Sequence, residues 1–455
     1  MFSDPLFAIS PLDGRYARAV DPLRDFMSEY ALFRDRIGVE IAYLRALSQN
    51  TSVVRRFTEA EDQFLLTILE LFATNDAKRV QELENETRHD VKAVEYYLRE
   101  KLQGSSLQDV IPFLHFGLTS EDVNQTAIAF SLLESRDEVL LPKLDEVLGR
   151  IKNFAKQYAA TPMLAKTHGQ PAVPTTLGKE FANFYVRILE QYSRIREHKF
   201  SAKLTGAVGN FNALAAANAN VDWIEFSTRF LQALGLEPAL YNTQLMPYDN
   251  WIEYLDALRL TNSILLDFAQ DVWRYVSDDV LKQKTKEGQI GSSTMPQKVN
   301  PIDFENAEGN IGIANALLEF YARKLPVSRL QRDLSDSTVR RTFGVALGHT
   351  LVAWQNIVRG LDKIEPNLEH IAQELEAHWE IVAEGAQTML RAAGVSDAYE
   401  QLKTLTRGKP LTREGYEQWV YSLNGNTQLK TKLLELSPQK YIGLAEQLTR
   451  NALGE

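Results

Sequence analysis

The sequence predicts an all-α protein of three domains with a central bundle of long helices. Three observations point there. Apolar residues recur at steps of three and four through most of the chain, period-two alternation is scarce, and 455 residues are too many for one small core. From the N-terminus, Phe26, Tyr30, Phe33, Ile37, Ile41 and Leu44 form one stripe over 24–47, and further helical stretches are readable at 58–74 and 91–102. Gly104-Ser105-Ser106 interrupts that run and Ile111-Pro112 opens a new segment. Helices are then expected at 138–159, 178–200, 255–281, 302–324 and 342–362. The longest of these carries Leu255, Leu258, Asn262, Leu265, Ala269, Val272, Val276 and Val280 in one rhythm. Glu365-Pro366-Asn367 marks a second break, followed by shorter helices. The expected domains are 1–111, N-terminal helical; 112–364, the central helix bundle; and 365–455, C-terminal helical. Long helices with broad apolar faces often complete their burial in an oligomer.

Composition narrows the function classes. With 60 acidic against 50 basic side chains the formal net charge is −10, which disfavours nucleic-acid binding while leaving room for a local anion pocket. The chain has no cysteine, so disulfides, thiolate metal sites and cysteine nucleophiles are excluded and a reducing cytoplasm is the expected location. The stretch MFSDPLFAIS lacks the basic and apolar regions of a secretory signal, and no run reaches the ~18 apolar residues of a membrane span. No HExxH, P-loop or GxGxxG spacing occurs, so no metal or nucleotide-cofactor motif is present.

Chemistry-bearing residues concentrate in a few segments. His168 stands in Lys166-Thr167-His168-Gly169-Gln170-Pro171, between two helical stretches, where a loop imidazole is sterically free to meet a ligand. His89 lies in Arg88-His89-Asp90, and His115 leads into Thr119-Ser120-Glu121-Asp122. The other four histidines, His198, His349, His370 and His378, read as structural. Over 286–306, Gly288, Gly291, Ser292 and Ser293 precede Met295-Pro296, Lys298, Asn300 and Pro301, a loop able to offer hydroxyls, amide N–H groups and a cation to an anion. Arg329, Arg332, Arg340 and Arg341 surround Asp333, Asp336, Ser337 and Thr338, and Arg15 and Tyr16 follow Asp13-Gly14 in a turn. Arginine forks suit carboxylate and phosphate, although an isolated cluster of this kind is more often a salt-bridged surface.

At 291–301 the chain reads GSSTMPQKVNP, which resembles the GSSxMPxKxNP signature loop of the fumarase/aspartase superfamily at every fixed position. Along nearly its whole length it resembles the adenylosuccinate lyases of bacterial type. The stretches that carry this are SPLDGRY at 10–16, RHDVKAVEYYL at 88–98, LHFGLTSEDVN at 114–124, KTHGQPAVPTTLGKE at 166–180, KLTGAVGNFNA at 203–213, NPIDFEN at 300–306 and SRLQRDLSDSTVRR at 328–341. Gln297 departs from the histidine usual there and matches argininosuccinate lyases instead, and Arg88 stands where a relative has asparagine.

The resemblance implies a fumarase/aspartase-like all-α fold, a homotetramer whose active sites draw on more than one subunit, and no cofactor. It implies β-elimination of fumarate from adenylosuccinate, giving AMP, and from the succinylcarboxamide ribotide of purine biosynthesis, giving aminoimidazole carboxamide ribotide. Ser292 would be the base and His168 the acid. The residues alone do not rank Ser292 above His89 as the base. Ser293, Lys298 and Asn300 would bind the succinyl carboxylate. Arg15, Tyr16, Arg332, Ser337, Thr338, Arg340 and Arg341 would hold phosphate and carboxylate. Arg88, His89, Asp90, Thr119, Ser120, Gln244 and Asn306 would line the base, ribose and succinyl portions. The competing readings are another fumarate-releasing lyase, such as argininosuccinate lyase, and an inactive helical scaffold, which would need none of Ser292, Lys298, Asn300 and His168.

Overall fold

A computed structural model of the chain describes residues 4–284, 295, 298–406, 411–424 and 427–455. Helices dominate it, and the strands are short pairs in three two-stranded sheets. Two compact units emerge, each discontinuous in sequence. The first comprises Met1–Leu144, Gln191–Ser263 and Asn310–Ala353; the second comprises Asp145–Glu190, Ile264–Gly309 and Trp354–Glu455. No helix among the described residues is long and apolar enough to cross a membrane.

In the first unit the expected helix over 24–47 is two helices, Arg24–Met27 and Glu29–Asn50. Ser28 divides them because its backbone is extended and its hydroxyl accepts from Ala31 N, which caps the second helix. Thr58 starts Glu59–Glu70 through a reciprocal box with Glu61, and at the start of Ser120–Ser135 the Asp122 carboxylate accepts from Thr119 N at 2.8 Å. Tyr43 is fully buried and meets Phe226 and Phe230 edge-on. Phe343 packs on Trp251 and Tyr321.

In the second unit Gly178 lets the helix Leu177–Glu197 lie against the end of Leu141–Gln157. A β-carbon there would stand 2.4 Å from Ala155 O and 2.5 Å from Ala159 Cα. Phe154 and Phe181 stack at 4.1 Å, and Phe181 meets Phe268 edge-on. The helix expected over 138–159 begins as one π turn, Arg136–Leu140, before Leu141–Gln157. That expected over 255–281 runs from Asp249 to Ser277. Its end is set by Asp279 in the left-handed region, φ 57°, after which Leu281–Gln283 pairs with Ile364–Pro366. Val280 therefore belongs to a strand connection, not to the helix stripe.

Candidate functional site

Six non-glycine residues among those described have positive φ, and Arg88, His115 and His168 are three of them. Left-handed backbone costs such residues roughly 1–2 kcal/mol, so the surroundings must enforce it. Arg88 ends the helix Thr74–Thr87, and His89 immediately caps Asp90–Leu102 through Nδ1, which accepts from Lys92 N at 3.2 Å. The Arg-His-Asp turn is thus a helix-to-helix joint with Arg88 and His89 exposed.

Asp90 is held from the other side. Arg36 Nη2 donates to Asp90 Oδ2 at 2.7 Å and Arg36 Nε to Asn124 Oδ1 at 2.8 Å. Burial opposes the Asp90 charge, but Arg36, the Val91 N–H, His89 and Arg341 together hold its pKa below the ordinary carboxylate value. Arg341 pairs with Glu29 at 2.9 Å and lies 3.8 Å from Asp90. A cleft of about 150 Å³ is lined here by Ser28, Arg36, Asn124, Ser337, Arg340 and Arg341, among others. Arg341 also lines a neighbouring cleft with Ser10, Leu12, Asp13 and Arg24. Arg15 is exposed in the turn that follows, and Tyr16 packs on the cluster of Leu12, Val20 and Val352.

The arginine cluster is not a solvated surface throughout. Arg340 is buried, 3.1 Å from both Glu121 and Asp336, while Tyr248 donates to Asp336 at 2.7 Å. Arg332 reaches Glu121 at 2.8 Å and Gln244 Oε1 at 3.0 Å. Thr338 is exposed, and Thr119 and Ser120 are half-buried at the start of their helix. The same contacts draw in Arg36, Glu121, Asn124 and Glu29, which are not among the candidates named from sequence. The available signal was Arg36 between Phe33 and Ile37 on a core-facing stripe, where a charge is tolerated only with partners.

His115 Nδ1 lies 2.6 Å from Glu40 Oε1 and the backbone N–H of His115 donates to Glu40 Oε2 at 3.1 Å, which fits a supporting role. Burial is the largest influence on its pKa and lowers it. Glu40, Glu95 and Asp122 outweigh this, and the value is raised above 6.5. The stability it contributes is complete below the unfolded value and is lost as pH rises through the raised folded one. As pH rises from about 6.5 the melting midpoint of the wild type should therefore fall more than that of His115→Asn. Parallel pH profiles would exclude the linkage.

In the second unit, His168 and Gly169 are the two-residue turn of a hairpin, Pro162–Thr167 with Gln170–Thr176, with Thr167 paired to Gln170. Their φ values of 54° and 73° are both positive, as tight hairpin turns of this length require. His168 is exposed at the tip. Two residues before it, Lys166 Nζ is anchored to Asp278 at 3.1 Å and Glu374 at 2.9 Å. Lys298 is exposed, and Asn306 on the helix Ile302–Lys324 accepts from Asn356 at 3.0 Å. Asn300 is half-buried. Ser292, Ser293 and Gln297 lie outside the described residues.

A family model described as lyase matches residues 14–314, and one described as adenylosuccinate lyase C-terminal matches residues 328–442. Curated proteins named adenylosuccinate lyase are similar over almost the whole chain. That of Haemophilus influenzae is 44% identical, covering 97% of this chain and 98% of its own; that of Escherichia coli K12 is 45% identical, covering 97% of each. The chain belongs to the adenylosuccinate lyase family. Solved structures show the same fold at low identity. A fumarate lyase from Mesorhizobium matches with TM-score 0.77 and 17% identity over 95% of this chain and 97% of its own. The 3-carboxy-cis,cis-muconate lactonizing enzyme from Pseudomonas putida matches with TM-score 0.75 and 18% identity over 95% and 96%. Membership of the adenylosuccinate lyase family agrees with the all-α, fumarase/aspartase-like fold expected from sequence.

Proposed function

We propose that the chain is a carbon–nitrogen lyase that removes fumarate from adenylosuccinate, giving AMP, and from the succinylcarboxamide ribotide, giving aminoimidazole carboxamide ribotide. The observation that carries this is similarity to adenylosuccinate lyases over 97% of the chain. The cleft of Arg36, Ser337, Arg340 and Arg341 supports it, because such donors suit an anionic substrate. In the reaction, Ser292 takes the proton from the carbon beside a succinyl carboxylate. Lys298 and Asn300 stabilise the negative charge that develops there, and His168 protonates the departing nitrogen as the C–N bond breaks.

The chain is further proposed to act in the cytoplasm as a homotetramer whose sites combine residues of several subunits. Large apolar side chains left exposed on long helices support the assembly: Leu260 and Trp273 on Asp249–Ser277, and Ile313 and Phe320, seven residues apart, on Ile302–Lys324. Purified protein should release fumarate from adenylosuccinate and not from argininosuccinate. Gln297 makes the second substrate the informative control, and fumarate from it alone would overturn the assignment.

A further inference from the structure

Glu121 has no exposed surface, yet it stands at the crossing of two sets of residues assigned to substrate. Its Oε1 accepts from Asn124 Nδ2 at 2.9 Å and from Arg340 Nη2 at 3.3 Å, and forms an ion pair with Arg332 Nη2 at 2.8 Å. Its Oε2 lies 3.1 Å from Arg340 Nη1, an ion pair without the alignment of a hydrogen bond. On one side Arg332 passes the constraint to Gln244. On the other, Asn124 uses its carbonyl to hold Arg36, and Arg36 holds Asp90. Residues from 36, 90, 121–124, 244 and 332 are thereby locked into one chain of polar contacts. Burial works against the Glu121 charge, but Arg340 and Arg332 keep its pKa below the ordinary carboxylate value.

We propose that Glu121 is a positioning residue that orients Arg332 with Gln244, and through Asn124 and Arg36 orients Asp90, for binding the anionic substrate. This rests on the proposed function. Fully buried, Glu121 does not touch the substrate. Its charge holds Arg332 and Arg340 at fixed angles, and Arg332 Nε and, beyond Asn124, Arg36 Nη1 have no hydrogen-bond partner among the described residues. A neutral amide of the same shape keeps one carbonyl acceptor, turns a donor toward an arginine, and releases Arg332 from its orientation.

Glu121→Gln should raise KM for adenylosuccinate at least about tenfold with kcat changed far less, as loss of uniform binding predicts. Because part of the effect of Glu121 runs through Arg332, the double variant Glu121→Gln/Arg332→Ala should raise KM by less than the product of the two single effects. Multiplying effects, or an unchanged KM in Glu121→Gln, would overturn the role. Should Glu121→Gln fail to fold, Glu121→Asp keeps the charge but shortens the reach, and it should raise KM while the melting midpoint stays near wild type; an unaltered KM there also overturns it. Wild-type turnover separates the two claims. No fumarate from the wild type defeats the proposed function, whereas an active wild type with an indifferent Glu121 defeats only the positioning role.

Discussion

His168→Ala is expected to lower kcat for fumarate release by at least about 10²-fold, the usual contribution of a positioned proton donor. The nitrogen leaving the succinyl carbon must gain a proton as its bond breaks, and an alanine has none to give. His168 is exposed at a hairpin tip, so the substitution removes no buried packing and the melting midpoint should stay near wild type. The left-handed backbone at 168 makes alanine slightly less comfortable there, an effect of about 1 kcal/mol on the turn, too small to imitate a catalytic loss in a folded protein. Added imidazole should restore part of the rate if the missing group is a proton donor. Ser292→Ala should cost a comparable factor without any rescue by imidazole. Near-normal turnover in either protein, measured by fumarate release at saturating substrate, removes that residue from its assigned step.

Much of this architecture was legible in the sequence because long helices announce themselves by period. The helix expected over 302–324 is Ile302–Lys324, where Pro301 precedes the start and the apolar rhythm runs unbroken. Rhythm alone overshot at Val280, since nothing in the pattern reveals that Asp279 turns left-handed and sends the chain into a strand pair. The hairpin that carries His168 was invisible for a related reason. A two-stranded ladder with Pro171 and Pro174 in one strand has no fully buried face to impose alternation. The family resemblance located Arg332, Gln244, Asp90 and Ser337 as site candidates, and the structure joins Arg332 to Gln244 directly and places Ser337 with Arg340 and Arg341 around one cleft. What sequence concealed was the buried charge between them. Glu121 and Arg36 read as ordinary helix positions until Asn124, on the same helix as Glu121, is seen to bridge them.

Asp122→Ala should destabilise the protein by about 3–5 kcal/mol, because it strands a buried cation. Lys203 and Asp122 both have no exposed side chain, and Lys203 Nζ donates to Asp122 Oδ1 at 2.6 Å and to Gly206 O at 3.1 Å. The same carboxylate accepts from Thr119 N at 2.8 Å, Thr205 N at 3.0 Å and Gly206 N at 3.2 Å. Alanine therefore leaves one ammonium and three backbone donors without their acceptor, where water cannot replace it. Asp122→Asn keeps an oxygen for the amides but not the charge and should lose less. Adding Lys203→Met to it removes the unpaired cation and should recover part of the loss, the mark of a paired charge as opposed to a packing defect. Melting midpoints at one protein concentration test the series, with a fall of several degrees expected for Asp122→Ala. A midpoint equal to wild type would show that Lys203 finds another partner. Activity should fall along with stability, because Asp122 ties down the turn from which Thr119 and Ser120 are presented and sits next to Glu121. Order at the candidate residues Thr119 and Ser120 is thereby tied to the pairing of a buried lysine.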